Sequence, residues 1–199
     1  MAADNFLWFP SPATGGLLVG GGDQPSGEST DAWFGPGGKL SLSKPALEVL
    51  SFSFGVSQAE TTGSYTTGGG AGKAKFEEFQ IEKFVDLASC PLYNACTAGA
   101  HFPAVMLAIR KAGGDPLLYL QYCFRMVFVT GINWSGGGGE EQPKETVKFK
   151  FGAMGIQYIS QKATGGQDKT MSAMWSTALN KPSLDVPGLA PAPSYLKAS

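Results

Sequence analysis

The chain has 199 residues, enough for one domain with a substantial core. Fifteen basic residues against sixteen acidic ones give a formal charge of −1, and only 16% of the chain is charged. That balance excludes the basic footprint of a nucleic-acid binder and the polybasic cluster of a membrane-surface protein, while 28 glycines point to tight turns and to surfaces covered in an assembly.

The first ten residues, MAADNFLWFP, have no basic n-region and no long apolar core, so they do not read as a signal peptide. Residues 10–26, PSPATGGLLVGGGDQPS, are Pro/Gly-rich and read as a surface loop. Leu50, Phe52 and Phe54 then alternate with Ser51, Ser53 and Gly55, the period-two pattern of a strand. TTGSYTTGGGAG at 61–72 is a second Gly-rich stretch, long enough for a functional or mobile loop. Phe79, Ile81 and Lys83 alternate with Glu78, Gln80 and Glu82, which predicts a half-buried strand.

The pattern breaks at Asp86, and a short helix is predicted next. Ser89 suits its N-cap, Pro91 its first turn and Gly99 its left-handed stop, with Leu92, Ala95 and Cys96 on one apolar face. After Pro103 the chain turns extended, with Val105, Leu107 and Ile109 opposite Met106, Ala108 and Arg110, until AGGDP at 112–116 supplies a turn. From 117 to 129, Leu118, Leu120, Tyr122, Phe124, Met126 and Phe128 read as one apolar face, and Tyr119, Gln121, Cys123, Arg125 and Val127 as a mixed one. Val147, Phe149 and Phe151 alternate with Lys148 and Lys150, and Ile156 and Tyr158 read as the start of a further strand. The last stretch, 181–199, is Pro/Ala-rich and reads as a mobile tail. Many short strands and one helix predict a mainly β barrel or two-sheet sandwich with the helix at an end or side.

Little in the chain resembles reactive chemistry. His101 is the single histidine, and no Cys, Asp or Glu stands near it at metal-ligand spacing. Cys96 precedes it by five residues without an orienting third group, so a helix-terminal histidine is the better reading. GGGAGKA at 68–74 lacks the first Gly and the final Ser or Thr of a phosphate loop. Glu78 and Glu82 fall on the solvated face of their strand, and Asn133-Trp134-Ser135 is a sequon placed in a turn, where Trp134 is either an exposed binding aromatic or a rim contact. Cys90, Cys96 and Cys123 are an odd count without CxxC spacing and read as buried thiols of a reducing compartment. The longest apolar run, 117–132, holds Gln121 and Arg125, so no membrane insertion is expected and a chain made in the cytoplasm is. No enzyme, cofactor or metal is expected.

The block AGKAKFEEFQIEKFVDLASCPLYNACTAGAHFPAVMLAIRKAGG at 71–114 resembles the Hcp family, the tube-forming subunits of the bacterial type VI secretion system. NFLWF at 5–9 is similar to the family's first strand, GESTD at 27–31 to its GES-D segment, LEVLSFSFGVSQ at 47–58 to its next strand, and GGGGEEQPKETVKFKF at 136–151 to its Gly-rich loop, acidic turn and strand; Trp175 matches its C-terminal aromatic. The resemblance implies an Hcp-like β-barrel over 1–180 with one short helix and an insertion at about 10–26, followed by the tail at 181–199. It implies hexameric rings stacked into a tube under a VgrG-like spike protein and inside contractile sheath subunits. It also implies that small effectors travel in the bore and that the protein is secreted without a signal peptide. The loop at 61–72, with Thr61, Gly63, Tyr65, Gly68, Gly70 and Gly72, is expected to carry ring stacking, and Ser51 and Ser53 are expected to line the bore. The plainer reading of those serines is a solvent or sheet contact. The alternative function is a monomeric β-sandwich binding module for carbohydrate or protein, with Trp8, Trp33 and Trp134 as platforms. A hydrolase has the least support, because no nucleophile–base–orienter set is visible.

Overall fold

A computed structural model describes residues 3–18, 22–58, 73–111, 117–139, 142–162 and 166–191. Its elements in chain order are β1 (Ala3–Trp8), β2 (Leu47–Glu48), β3 (Ser51–Ser53), β4 (Val56–Ser57), β5 (Lys75–Phe76), β6 (Phe79–Phe84), α1 (Ser89–Ala98), β7 (His101–Lys111), β8 (Leu117–Ser135), β9 (Lys144–Gln161) and β10 (Gln167–Ser176). The main sheet runs β2-β1-β7-β8-β9-β6-β3, every pairing antiparallel, and β4 and β5 form a separate ribbon.

β2 and β3 stand at opposite ends of that order, yet only Val49 and Leu50 separate them in the chain. The Val49 N–H donates to Asn5 O (3.0 Å) and the Leu50 N–H to Glu82 O (2.8 Å). One interrupted strand therefore pairs β1 with its first half and β6 with its second, which closes the sheet into a barrel. The far edge of β9 is divided in the same way: residues 144–149 pair with β6, and residues 153–161 pair with β10.

Period-two alternation sends Leu7, Ile81, Leu107, Tyr122, Phe124, Val147 and Phe149 into one core. Phe79 stacks on Phe124 (4.4 Å between centroids) and on Phe149 (5.5 Å), each contact adding about 1 kcal/mol beyond its buried area. Helix α1 packs against β8 with Leu92 and Ala95 fully buried. It ends at Gly99 (φ 64°), where the left-handed backbone costs glycine nothing.

Several expectations change. Ser89 is the first helical residue, not the N-cap; Ala88 holds that position without a side-chain bond. Asp86 Oδ1 instead accepts from the Ala88 N–H, and Ser89 Oγ is spent on a buried ion cluster. The apolar face predicted from Leu118 to Phe128 does not hold. Tyr122 and Phe124 face the core, then Val127 and Val129 do, because the alternation changes phase at Met126, whose φ is +51°. Ile156 and Tyr158 start no new strand; they continue β9, and the strand after it, β10, has no counterpart in the sequence reading. Trp134 stands in β8 rather than in a turn, and His101 opens β7 rather than ending the helix.

Two segments expected to be loose are packed. Within 10–26, Ala13 is buried in the core, Thr14 and His101 exchange both backbone hydrogen bonds (2.8 and 3.0 Å), and Leu17 N–H donates to Ala98 O. Within the tail, Leu184 and Val186 are buried against Met106, Cys123 and Ala153 on the outer barrel wall. Proline fixes φ there, so a short segment docks at modest entropic cost.

Candidate functional site

For a protein without visible reactive chemistry, the candidate site is a surface. Register builds it. Ser51 lies opposite Glu82, Glu82 opposite Thr146, and Thr146 opposite Asn133. The next row runs Ser53, Gln80, Lys148 and Gly131. Ile81, Val147 and Phe149 point from the same strands into the core, so these two rows form a continuous polar face across β3, β6, β9 and β8. Ser51 and Ser53 are both exposed on it, and Ser51 Oγ donates to Glu82 Oε2 (3.3 Å). Lys144 approaches Glu82 at 3.8 Å, so charge on this face is largely balanced. The sequence placed the two serines and Glu82 on outward faces but gave no means of joining them to Thr146, Lys148 and Asn133; strand pairing does that. Thr61, Gly63, Tyr65, Gly68, Gly70 and Gly72, expected to carry ring stacking, lie outside the described residues.

A second row, at the helix-covered end, is its inverse. Lys83 faces Glu145, which faces Trp134. Lys83 Nζ is fully buried and contacts Asp86 Oδ1 (2.6 Å) and Glu145 Oε1 (2.9 Å). Ser89 Oγ donates to Glu145 Oε1 (2.8 Å), and Trp134 Nε1 donates to its Oε2 (2.8 Å). Burial pushes the Asp86 carboxyl up despite the pull of Lys83, and Glu145 adds to the rise. The cluster therefore welds α1 to β6 and β9 and pins a half-exposed indole, against which Tyr93 packs (6.1 Å). Alternation had placed Lys83 inward, and Asp86 stands three positions on, but its buried partner Glu145 comes from 62 positions on in the chain, beyond any local signal.

The GESTD segment is structural. Gly27 approaches Ala46 so closely that a Cβ would stand 2.0 Å from its carbonyl oxygen. Glu28 accepts from the Leu87 N–H, and Asp31 accepts from the Trp33 and Phe34 N–H groups and from Arg110 (2.7 and 2.8 Å). Burial raises the Asp31 carboxyl, but those donors outweigh it and hold it below the usual range. Arg110 also meets Asp4 (3.0 Å) and lies over the Phe6 and Phe34 rings.

The other candidates do not assemble into a site. His101 packs on Phe128 (5.4 Å), and among the described residues no group of three His, Cys, Asp or Glu side chains is placed to hold a metal. Trp8 and Trp33 pack around Phe6 and Phe34, with Lys39 over the Trp33 ring, apart from the Trp134–Tyr93 pair. Among the described residues no helix is long and apolar enough to cross a membrane.

The family model described as type VI secretion system effector, Hcp, matches residues 25–158. The chain belongs to the Hcp family. Protein hcp1 of Pseudomonas aeruginosa is 36% identical over 97 residues, covering 48% of this chain and 60% of that protein, so the matched stretch spans less than two-thirds of that relative. A solved type six secretion system protein superposes with a TM-score of 0.73 at 29% identity, covering 90% of this chain and 99% of its own. Hcp1 from Salmonella typhimurium gives 0.64 at 28% identity, covering 92% and 99%. The mainly β barrel with one helix is thus the Hcp fold, and most of the 10–26 strap, all of β10 and the tail fall outside the matched range.

Proposed function

We propose that this chain is a structural subunit of the type VI inner tube. Six copies close head to tail into a ring, and rings stack under a VgrG-like spike inside a contractile sheath. The subunit is made in the cytoplasm and leaves through the apparatus, with small effectors in the bore. It acts by shape and not by catalysis. The match of residues 25–158 to the Hcp family carries this reading. The architecture supports it: a closed barrel braced by buried ion clusters is a stiff building block, and head-to-tail contacts between such blocks close into rings. We read residues 1–180 as the tube domain and 181–199 as an appendage to it.

The face carrying Ser51 and Ser53 is the proposed bore lining. Its small hydroxyls and balanced charges suit cargo that must bind weakly and leave. The loop with Thr61, Gly63, Tyr65, Gly68, Gly70 and Gly72 is the proposed stacking element.

Light scattering after size exclusion, with images of the peak fraction, tests the reading. A sixfold mass with ring-shaped particles is the expected result, and a monomer at high concentration overturns it. Two variants extend the test. Ser53→Lys should keep rings and lose cargo retention; unchanged retention removes the bore assignment. Deleting Gly63 to Gly70 should leave single rings, and persistent tubes remove the stacking assignment.

A further inference from the structure

Arg125 is buried (3% exposed) on the outer wall of β8, yet among the described residues no carboxylate contacts it. Its Nη groups donate to the main-chain carbonyls of Ala190 and of Pro191 (3.5 Å), and its Nε meets no acceptor. Removing a guanidinium from water costs several kcal/mol, and that cost is normally offset by an opposite charge. A carbonyl satisfies the donor but brings no opposite charge. Among the described residues the site is therefore incomplete in charge.

The cover over it is lightly held. Met106, Cys123 and Ala153 floor a channel on the outer wall, with Trp8, Met126 and Met174 at its margins. Leu184, Val186 and Leu189 fill it, and Val186 packs where Gly152 has no Cβ. Among the described residues, 184–191 reach the barrel through only three hydrogen bonds: one from Ser176 Oγ to Asp185 O (2.7 Å) and the two from Arg125. No strand pairing joins this segment to the wall. Leu184 and Val186 are buried on either side of exposed Asp185, an alternation that another aliphatic-x-aliphatic peptide can reproduce, and the chain then turns at Gly188 (φ 84°), where the Leu189 N–H donates to Val186 O (3.2 Å).

We propose that this channel is a docking site for a protein segment carrying alternate aliphatic side chains and one carboxylate, and that residues 183–191 are its resident placeholder. The incoming carboxylate takes the place of the Ala190 carbonyl on Arg125, and the aliphatic side chains replace Leu184 and Val186. This stands independently of the tube reading.

Two synthetic nonapeptides test it on the full chain: SLDVPGLAP, the sequence of 183–191, and SLDVPGLEP. The Glu peptide should bind about tenfold tighter by fluorescence anisotropy and should speed amide exchange in 181–191 as it displaces them. Arg125→Met, or Arg125→Gln if the first folds poorly, should erase the difference. Equal affinities, no binding, or binding that leaves exchange in 181–191 unchanged overturns the proposal. As a check that needs no displacement, Ala190→Glu in the full chain should raise Tm with Arg125 present and not in the Arg125 variant; no rise with Arg125 present overturns the charge argument.

Discussion

The chain has two arginines, and they make a controlled comparison. Arg110 on β7 and Arg125 on β8 are both buried, both point away from the main core, and both have a buried Nε that meets no acceptor among the described residues. Arg110 is met by Asp31 and Asp4 and flanked by two aromatic rings. Arg125 is met by two peptide carbonyls near the end of the described chain. The first arrangement fixes the GESTD segment to β1 and β7 permanently. The second holds its segment with neutral acceptors that a charged competitor can outbid. Burial alone does not decide whether a cation is a weld; the charge of what faces it does.

Lys83 extends the comparison and carries the largest expected effect. It is completely buried between two carboxylates, and Lys83→Met leaves Glu145 uncompensated. A loss of about 4 kcal/mol is expected in urea unfolding, and a loss below about 1 kcal/mol would break the argument. Arg110→Met follows at about 2–3 kcal/mol, smaller because Asp4 is 40% exposed and is rehydrated once its partner goes.

Acid titration sharpens the same contrast. The folded Asp31 carboxyl lies below its ordinary 3.8, so its contribution is present above 3.8 and is lost as pH falls through the folded value. The stability gap between wild type and Asp31→Asn should shrink as pH falls below 3.8, and with Arg110→Met in the background, which leaves only the Trp33 and Phe34 N–H donors, that shrinkage should be smaller. A gap independent of pH would show that Asp31 acts without its charge. Arg125→Met is the smallest: it orphans no carboxylate, so unfolding should shift by less than about 1 kcal/mol in either direction. A loss comparable to that of Arg110→Met would erase the distinction.

The sequence carried the inward residues of β6 and of the first half of β9, because strict alternation of Phe79, Ile81 and Lys83 and of Val147 and Phe149 admits one orientation. It carried Gly99, where only a left-handed stop fits. It failed at Met126, since a change of phase within a uniformly apolar run leaves both faces apolar and therefore invisible. It failed for 181–191, where composition argued for a loose tail while Leu184 and Val186 answer a channel floored by the neighbouring strands β7, β8 and β9. The polar face was legible as pieces: each strand showed its outward residues, but neighbouring Ser51 with Glu82, Thr146 and Asn133 depends on pairings between segments far apart in the chain.

The interrupted strand at 47–53 has a kinetic consequence. Because its two halves seal opposite ends of the sheet order, the barrel cannot close until β1, β6 and the strands between them are in register. Those pairings are distant; the Asp4–Arg110 contact alone spans 106 positions. Folding with so many remote contacts is slow, on the millisecond-to-second scale, and partial closure leaves two raw seams exposed together. Until it closes, each seam offers unpaired strand edges to other chains, so the closing strand protects the barrel as well as completing it.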